Sequence, residues 1–257
     1  MGLLEGECDP VIVVNENGSS PFVLVCEHAG NHIPARLGNL GLTEEDLVAH
    51  IAWDPGAEPM ARRVSEILDA PLVIQPYSRL VIDCNRPPHN GESIWQVSEY
   101  TTIPGNLDLT PEQRRERVDE VFTPFHDRIA RLLDDRAAAG RQNVLVTLHS
   151  FTPVYKGFQR PWHVGAQYNR MPALSRAINS LLARDANLVV GDNEPYPVND
   201  ETHYTIPVHG EQRGIPHAMI EVRNDLISTE AGQALWAERL AAVIVEALGV
   251  ITAQGTH

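Results

Sequence analysis

Two histidines of this sequence stand at the ends of apolar segments. His28 follows the run PFVLVC and His149 follows the run NVLVTL, and an aspartate, Asp54, lies between them ahead of a helix-like stretch. A catalytic zinc ion typically binds about three protein ligands, histidine and carboxylate among them, and keeps one position for water. We therefore predict that His28, Asp54 and His149 bind a divalent cation, with zinc as the first choice and other divalent ions left open.

Each of these ligands also has a structural interpretation. A single histidine in a loop is more often a hydrogen-bonded structural residue, but the position of both histidines at strand ends favours a site. Asp54 stands before Pro55 and could instead cap the start of a helix, because aspartate is a preferred N-cap and proline a preferred first helical residue. Asn31 is the rival of Asp54 for the third ligand position, and both remain open.

A glutamate in a later apolar segment could act as a base. Glu221 lies in HAMIEV between Ile220 and Val222, and the alternation of side chains along a strand turns it away from both. It therefore points into a cleft or to solvent. A cation lowers the pKa of the water it holds to about 7, and a free carboxylate beside it could take that proton. We predict that Glu221 is the catalytic residue.

Two arginines are predicted to bind the substrate. Arg86 follows the segment SRLVIDCN, and Arg223 comes two residues after Glu221. A guanidinium group binds a carboxylate through two parallel hydrogen bonds, so either arginine could hold the carboxylate of a small anionic substrate. The structural alternatives are ion pairs with the nearby Asp83 and Asp225.

These residues need a scaffold that brings distant parts of the chain together. Short apolar runs alternate with segments of helical periodicity, which predicts a largely parallel sheet covered by helices on both faces. Ligands of such sheets bind beyond the carboxyl ends of the strands, where the polar residues are expected to converge. The predicted strands are residues 21–26, 72–74, 80–82, 143–148, 188–190 and 217–222. The predicted helices are a stretch that starts at residue 43, and residues 56–68, 110–139 with a kink or break at Pro124, 173–183 and 228–248.

Length and charge limit the partners. The chain has 257 residues, so a single domain over residues 1–257 is expected. It carries 34 acidic and 20 basic residues, a formal net charge of −14, which argues against binding nucleic acid or an anionic membrane. A small-molecule partner fits, since one or two arginines can reverse the local potential. The oligomeric state is left open, a homo-oligomer included.

Cysteine usage and the first residues indicate a reduced, cytoplasmic enzyme. The 3 cysteines, an odd number without CxxC spacing, argue against a disulfide framework and a cysteine-rich zinc site. The start of the chain lacks the apolar core of a signal peptide, and no run approaches the roughly 18 apolar residues of a membrane span. The cytoplasm is therefore the predicted location.

Five segments together resemble the N-formylglutamate amidohydrolase family. Each is weak alone, but their order along residues 23–227 is specific. The segments are EHAGNHIP at 27–34, WDPG at 53–56, SRLVIDCNRPP at 78–88, LHSF at 148–151 and EVRNDL at 221–226.

The resemblance implies a fold and roles for individual residues. The family is similar to the zinc carboxypeptidases and aminoacylases, which implies a three-layer α/β/α, zinc-exopeptidase-like fold with a mixed, largely parallel sheet and one catalytic zinc. His28 and His149 match the two zinc histidines, and Glu221 matches the glutamate that serves as general base and then proton donor. Asn85 and Arg86 resemble the Asn-Arg pair that binds the substrate's carboxylate.

One position departs from the pattern that the resemblance implies. The carboxypeptidases take a second zinc ligand from an HxxE motif, and the equivalent position here is Asn31. Its amide oxygen is neutral and therefore a poor zinc ligand. Either Asp54 replaces it or the metal affinity is reduced.

The sequence thus predicts a metal-dependent amidohydrolase that cleaves a small N-formyl or N-acyl amino acid into a carboxylic acid and a free amino acid. A metal-free hydrolase with Cys26 or Ser150 as nucleophile is the enzymatic alternative, although the sequence contains no G-x-S-x-G elbow. A degenerate member that binds a metabolite without turning it over is the non-enzymatic alternative.

Overall fold

The computed structural model describes residues 2–255, and a large sheet lies at its centre. Met1, Thr256 and His257 lie outside the described residues, and the single domain over residues 1–257 stays a prediction. The strands that the structure describes are β1 (Ile12–Val14), β2 (Phe22–Cys26), β3 (Leu72–Ile74), β4 (Val97–Ser98), β5 (Thr101–Thr102), β6 (Val144–Phe151), β7 (Val154–Tyr155), β8 (Phe158–Gln159), β9 (Val164–Gln167), β10 (Val190–Asp192) and β11 (His217–Arg223).

The large sheet is mixed and mostly parallel. Within residues 2–255 it has seven strands in the order β1-β3-β2-β6-β11-β9-β10. Strands β3, β2, β6 and β11 are parallel neighbours, and β9 and β10 form a second parallel pair. Strand β1 joins β3, and β9 joins β11, in antiparallel orientation. The predicted largely parallel sheet is confirmed.

Alternate side chains of the central strands enter two separate cores. In β2, Leu24 and Cys26 pack on one face of the sheet, whereas Val23 and Val25 pack on the other. This follows from the strand backbone, in which successive side chains point to opposite faces. Every residue of β2 and β6 is buried, because both faces are covered, and this is why these strands are continuous apolar runs in the sequence.

Helices cover both faces of the sheet. They are α1 (Glu44–Val48), α2 (Ala57–Leu68), α3 (Pro111–Arg117), α4 (Thr123–Ala138), α5 (Ala173–Leu182) and α6 (Glu230–Ala253). On one face, α2, α5 and α6 contribute Met60, Ile178 and Leu240 to the core, and on the other α4 contributes Phe125 and Ile129. The predicted three-layer α/β/α fold is confirmed. No helix between residues 2 and 255 is long and apolar enough to cross a membrane.

The segment 110–139 is helical and changes its winding before Pro124. Thr110 caps its start, since its hydroxyl accepts from the amide of Gln113 and the side chain of Gln113 accepts from the amide of Thr110. A π-helical turn, Val118–Phe122, then separates α3 from α4. A proline ring clashes with the preceding helical turn and lacks an N–H, and the wider turn accommodates it. The predicted kink or break is therefore a π-helical turn.

The predicted strand at residues 80–82 is wrong. Leu80 and Val81 are buried, but they lie in a turn in which the amide of Val81 donates to the carbonyl oxygen of Ser78. The hydroxyl of Ser78 also accepts from the amide of Leu80. A short apolar run indicates that a segment is buried, but it does not by itself distinguish a strand from another buried segment.

Two strands of the large sheet are absent from the sequence-based prediction. Strand β1 is a short edge strand, and β9 reads VGAQ, a run too polar and too short to resemble a core strand. Strand β9 contains Gly165 because a Cβ there would lie 2.3 Å from the carbonyl oxygen of Glu194. The strand predicted at residues 188–190 is β10, which begins two residues later.

Candidate active site

The ends of neighbouring strands bring polar residues to one face of the sheet. His149 of β6 lies opposite Glu221 of β11 in the register of this parallel pair. Both continue the alternation that places Leu145 and Met219 on the face covered by α4. Glu27 directly follows β2, the neighbour of β6 on its other side. The topology alone therefore gathers an imidazole and two carboxylates.

His28, Asp54 and His149 meet in a buried cluster. One carboxylate oxygen of Asp54, Oδ2, lies 3.4 Å from Nδ1 of His28 and 3.0 Å from Nδ1 of His149. The two imidazole rings have centroids 5.0 Å apart and an interplanar angle of 66°. The ligand atoms of the three residues all lie within 4.8 Å of one another, so a single cation could contact all three.

The far nitrogen of each ring faces a buried carboxylate. Nε2 of His28 donates to Oδ1 of Asp83 at 2.7 Å, and Nε2 of His149 lies 3.1 Å from Oε2 of Glu27. Because an ionised carboxylate only accepts, the outer carboxylate favours a proton on Nε2 of each ring, and Nδ1, which faces Asp54, is the nitrogen that a cation would contact. Such carboxylate–histidine pairs fix the orientation of metal-binding histidines and raise their basicity. Both rings thus present Nδ1 to Asp54.

Backbone contacts hold Asp54 beside the histidines. Its amide donates to the carbonyl oxygen of His28 at 2.9 Å, and its Oδ2 accepts from the amide of Ser150 at 3.3 Å. The N-cap of α2 is Gly56, so the alternative role of Asp54 as a helix cap is wrong. Gly56 has a φ of 80°, and a Cβ there would lie 2.4 Å from the carbonyl oxygen of Ile227, which makes glycine the residue that fits.

Asn31, the rival third ligand, is engaged elsewhere. Its side-chain Nδ2 donates to the carbonyl oxygen of Leu47 at 2.9 Å. The structure brings Asp54, and not Asn31, to the two histidines. A charged carboxylate is also a stronger donor to a cation than a neutral amide oxygen.

Burial and neighbouring charges shift the pKa values of the cluster in opposite directions. Burial alone would raise the pKa of Asp54, but His28 and His149 hold it well below its ordinary value. Burial alone would lower the pKa of His149, but Glu27 and Asp54 raise it well above the usual range. The pKa of His28 is also raised, because Asp83 and Asp54 outweigh burial. These shifts indicate a strongly negative potential at both imidazoles.

Glu221 differs from the other carboxylates of the cluster. Burial, with Asp54 as a nearby like charge, raises its pKa to about 7. Its Oε2 is buried and has no hydrogen-bond partner in the part of the chain that the structure describes. A carboxyl group whose pKa lies near the working pH can both accept and return a proton.

The donor set fits a divalent cation. Nδ1 of His28 is buried and lacks a hydrogen-bond partner among residues 2–255. Around the cluster, four carboxyl groups surround the site and two guanidinium groups lie beside them, a composition that favours binding of a cation. Two imidazoles and one carboxylate are also a donor set that zinc uses in catalytic sites. The charged groups are Glu27, Asp54, Asp83, Glu221, Arg79 and Arg86.

A cavity of about 320 Å³ opens onto the cluster and has the size for a small ligand. His28, His149 and Glu221 line it. Arg79 also lines it and joins two of the carboxylates, since its Nη2 donates to Asp83 at 2.7 Å and its Nη1 to Asp54 at 3.4 Å.

Asn85 and Arg86 lie in the wall of this cavity. The guanidinium carbon of Arg86 stacks 4.6 Å from the centroid of the Trp95 ring, and its Nη1 lies 3.1 Å from Oε2 of Glu92. Oδ1 of Asn85 accepts from the amide of Thr205 at 3.3 Å, which fixes the orientation of the side-chain amide. The structure thus brings both members of the Asn-Arg pair to the predicted site.

Arg223 lies apart from the cavity. Its Nε donates to Oδ1 of Asp225 at 2.7 Å, and its Nη1 donates to the carbonyl oxygen of Trp162 at 3.3 Å. It is not among the described residues that line the cavity. The structural alternative, an ion pair with Asp225, is the arrangement found, so Arg223 is not part of the proposed substrate site.

Three charged residues of the site have no role in the sequence-based prediction: Glu27, Arg79 and Asp83. Glu27 directly precedes His28, and the sequence suggests for Asp83 only an ion pair with Arg86. The sequence does contain a sign of their importance, because all three stand in or beside apolar segments. Charged residues are almost never fully buried without a partner. Their partners could not be assigned before the fold brought the rings to them.

The two alternative nucleophiles are not poised to react. The hydroxyl of Ser150 donates to the carbonyl oxygen of Pro55 at 2.9 Å, and both nitrogens of His149 face carboxylates. Cys26 is buried, and burial raises the pKa of its thiol well above the ordinary value. A nucleophile needs an adjacent free base or a lowered pKa. The geometry therefore does not favour a metal-free mechanism.

Comparison with known proteins assigns the chain to a family. The sequence model of the N-formylglutamate amidohydrolases matches residues 20–228, more than half of the chain. With the flanked sheet and its buried imidazoles and carboxylates, this defines the class of protein as a hydrolase that acts on linear amides. The chain belongs to the N-formylglutamate amidohydrolase family.

Two solved structures share the fold. A gene product of Agrobacterium tumefaciens is 42% identical, with a TM-score of 0.94 over 98% of this chain and 100% of the other. An N-formylglutamate amidohydrolase from Ralstonia eutropha JMP134 is 17% identical, with a TM-score of 0.71 over 96% of this chain and 100% of the other. The second likeness is one of fold. A comparison with curated proteins gives no match.

Proposed function

We propose that this amidohydrolase cleaves the amide bond of a small N-formyl or N-acyl amino acid and that it does so with one divalent cation, for which zinc is the best fit. The observation that carries the proposal is the convergence of Nδ1 of His28, Nδ1 of His149 and Oδ2 of Asp54 beside a cavity that Glu221 and Arg86 also line. Family membership supports the amide as the bond that is cleaved.

In this proposal His28, Asp54 and His149 hold the cation. Asp83 and Glu27 keep the two rings in place and favour a proton at each Nε2, so that Nδ1 of each ring is the nitrogen offered to the cation. When bound, the cation supplies a Lewis acid for the carbonyl group and lowers the pKa of water at the site.

Glu221 moves the proton in both halves of the reaction. Its carboxylate takes a proton from water as the water oxygen bonds to the acyl carbon, and it returns the proton to the nitrogen as the C–N bond breaks. The acyl carbon thereby keeps the hydroxyl group and the amine leaves with the proton. A pKa that burial raises to about 7 suits a group that must accept and then donate near neutral pH.

Arg86 and Asn85 orient the substrate. The guanidinium group of Arg86 binds the α-carboxylate of the amino acid, and its stacking on Trp95 restricts the plane in which it can do so. Asn85 contributes its Nδ2 as a second donor, since its Oδ1 is held by the amide of Thr205. This arrangement favours N-acyl amino acids with a free carboxylate over simple amides.

The test combines elemental analysis with a hydrolysis screen. Purified protein is expected to contain about one zinc or other divalent ion per chain and to hydrolyse members of a panel of N-formyl, N-acetyl and N-succinyl amino acids. Full chelation should abolish turnover, and return of zinc should restore it. The variant H149A should lose both metal and activity, whereas H32A, which changes an exposed histidine paired with Glu7, should keep both.

Two results would contradict the proposal. Turnover that survives complete metal removal would favour a metal-free mechanism. Binding of an N-acyl amino acid in calorimetry, with no product in mass spectrometry from metal-loaded protein, would favour the degenerate binding alternative.

A further inference from the structure

Arg160 is a buried cation beside the cavity. Only 6% of its surface is exposed, and residues 2–255 place no carboxylate within ion-pair distance of it. A buried charge without a counter-ion is costly, and such an exception commonly has a functional reason. The contacts of its guanidinium group indicate that reason.

Its contacts are all residues of one cavity wall. Nη1 donates to the carbonyl oxygen of Thr152 at 3.2 Å, and Nη2 donates to the phenolic oxygen of Tyr196 at 2.5 Å. The guanidinium carbon also lies 4.7, 4.8 and 5.7 Å from the ring centroids of Tyr196, Tyr155 and Phe151. These four residues line the cavity. They come from the end of strand β6, from the hairpin β7–β8 with the residue before it, and from the loop that precedes the π-helical residues Ile206–Glu211, so Arg160 joins separate segments into one wall.

The contact with Arg160 determines what the Tyr196 hydroxyl can do. A phenol has one proton to donate and lone pairs to accept with, and a guanidinium group can only donate. Arg160 therefore occupies a lone pair of Tyr196 and leaves the O–H proton for another acceptor. The described residues provide no acceptor for that proton, and Tyr196 faces the cavity.

Tyr196 lines the same cavity as Glu221 and Arg79. Burial raises its pKa to about 12, with Arg160 lowering it, and Glu221 and Arg79 are close enough to act on it as well. The phenol thus stays protonated at neutral pH and remains a donor. Arg86, the proposed carboxylate ligand, is held on Trp95 in another part of the wall.

We propose that Tyr196 donates a hydrogen bond to the oxygen of the scissile carbonyl as negative charge builds on it, and that Arg160 is a positioning residue that aims and polarises this hydroxyl. The proton stays on Tyr196 throughout, so the atom balance of the hydrolysis is unchanged. A donor aimed at developing charge in a dry site strengthens in the transition state, and loss of one such donor costs about 10²–10³-fold in kcat. The inference rests on the proposed function.

The first test separates catalysis from binding. Y196F is expected to lower kcat by roughly 10²-fold while KM changes by less than about threefold, because the bond strengthens only in the transition state. The matched control is Y168F, which removes the hydroxyl of another arginine-bound tyrosine, in this case one outside the cavity with Arg176 stacked at 5.1 Å. It should leave both constants unchanged.

The second test asks whether Arg160 acts through Tyr196. R160Q alone should lower kcat nearly as much as Y196F, and R160K, which retains a charge and a donor, should recover part of the loss. In the Y196F background R160Q should add little, because the hydroxyl that it aims is already gone. Losses that multiply in the double variant would overturn the positioning role. Melting temperatures of all variants identify any that fail to fold, and R160K then decides in place of R160Q.

A binding measurement keeps this inference separate from the proposed function. A phosphonate analogue of an N-acyl amino acid, with a tetrahedral phosphorus at the reacting carbon, should bind wild-type protein roughly 10²-fold more tightly than Y196F in calorimetry. The free amino acid product should bind both equally. Equal affinities of the analogue for both proteins, or an undiminished kcat in Y196F, would contradict the role of Tyr196 alone. Failure of the wild type to hydrolyse any member of the panel would contradict the proposed function.

Discussion

Oδ1 of Asp83 accepts a hydrogen bond from Nε2 of His28 at 2.7 Å, on the side of the ring that faces away from Asp54. Glu27 occupies the corresponding position beside His149, with its Oε2 at 3.1 Å from Nε2. The two rings thus have matching surroundings, each between an outer carboxylate and the shared Asp54. Since the outer carboxylates favour protons at Nε2, they leave Nδ1 of each ring as the nitrogen that a cation would bind.

Replacement of either outer carboxylate should weaken the cation site. D83N and E27Q are each expected to lower zinc affinity by about 10–100-fold, because an amide orients the ring less firmly and supplies no charge. Competition with a chromophoric chelator measures the affinity. The control is D134N, which removes a surface carboxylate paired with Arg213. An unchanged zinc Kd in both site variants would show that the outer carboxylates do not support a metal site.

Removal of the proposed base should reduce turnover without unfolding the protein. E221Q is expected to lower kcat by about 10²–10⁴-fold, the range for a positioned acid–base group. The fold should be retained, because Gln has nearly the same size and shape as Glu and can occupy the same buried position. E58Q is the matched control, because Glu58 pairs with Arg62 on the surface of α2. Near-wild-type kcat in a folded E221Q would show that another group moves the proton.

The two predicted substrate arginines should now behave differently. R86K is expected to raise KM for N-acyl amino acids by about tenfold or more, since lysine offers neither the bidentate fork nor the stack on Trp95. R223K should leave KM unchanged, because Arg223 is paired with Asp225 away from the cavity. Steady-state kinetics on one substrate compares the two. A larger effect from R223K than from R86K would reverse the assignment.

A glycine in the loop that carries His28 should tolerate no side chain. A Cβ at Gly30 would lie 1.9 Å from the carbonyl oxygen of Pro76, so the backbone would have to move. G30A is expected to lower the free energy of unfolding by about 1–3 kcal/mol. Urea denaturation measures it. G91A, where nothing lies within 4 Å of the added atom, should change stability by less than about 0.5 kcal/mol. Equal effects would contradict the close approach.

A buried histidine outside the cluster should make the fold sensitive to acid. Burial lowers the pKa of His126 to about 4, and its Nε2 donates to the carbonyl oxygen of Cys84 at 2.7 Å. The ordinary value is about 6.5. The unfolded chain therefore binds the proton first, so the stability contribution is fully present above about pH 6.5 and decreases as the pH falls towards 4.

The corresponding measurement is the melting temperature across this pH range. H126N removes the titrating group and should give a shallower decline than wild type, with the difference in stability on the order of 3 kcal/mol at the acid end. Parallel curves for the two proteins would show that His126 titrates normally in the folded state.

The sequence predicts the sheet because its strands are recognisable as local apolar runs, and it predicts that the strand ends converge because parallel sheets share that geometry. Continuous apolar runs identify β2, β6 and β11, and the rule for parallel sheets anticipates that His28, His149 and Glu221 come together. Their catalytic roles remain predictions. The sequence leaves Asp54 open between ligand and helix cap, because that choice depends on where α2 begins, and α2 begins only after Gly56.

Tertiary contacts explain what the sequence could not predict. Residues 80–82 are apolar because they are buried in a turn, and the apolar pattern alone therefore predicts a strand where there is none. Glu27 and Asp83 could not be paired with particular rings until the order of the strands was known. Arg223 resembles a binding residue in its motif, but its partner Asp225 lies two positions away and outside the cavity.

The most direct test of the central claim is a crystal structure of the zinc-loaded protein with data collected on both sides of the zinc absorption edge. The account predicts an anomalous peak about 2.0–2.1 Å from Nδ1 of both His28 and His149 and within bonding distance of Asp54. Coordination through Nε2, an ion on Asn31 in place of Asp54, or no peak at the cluster would contradict it.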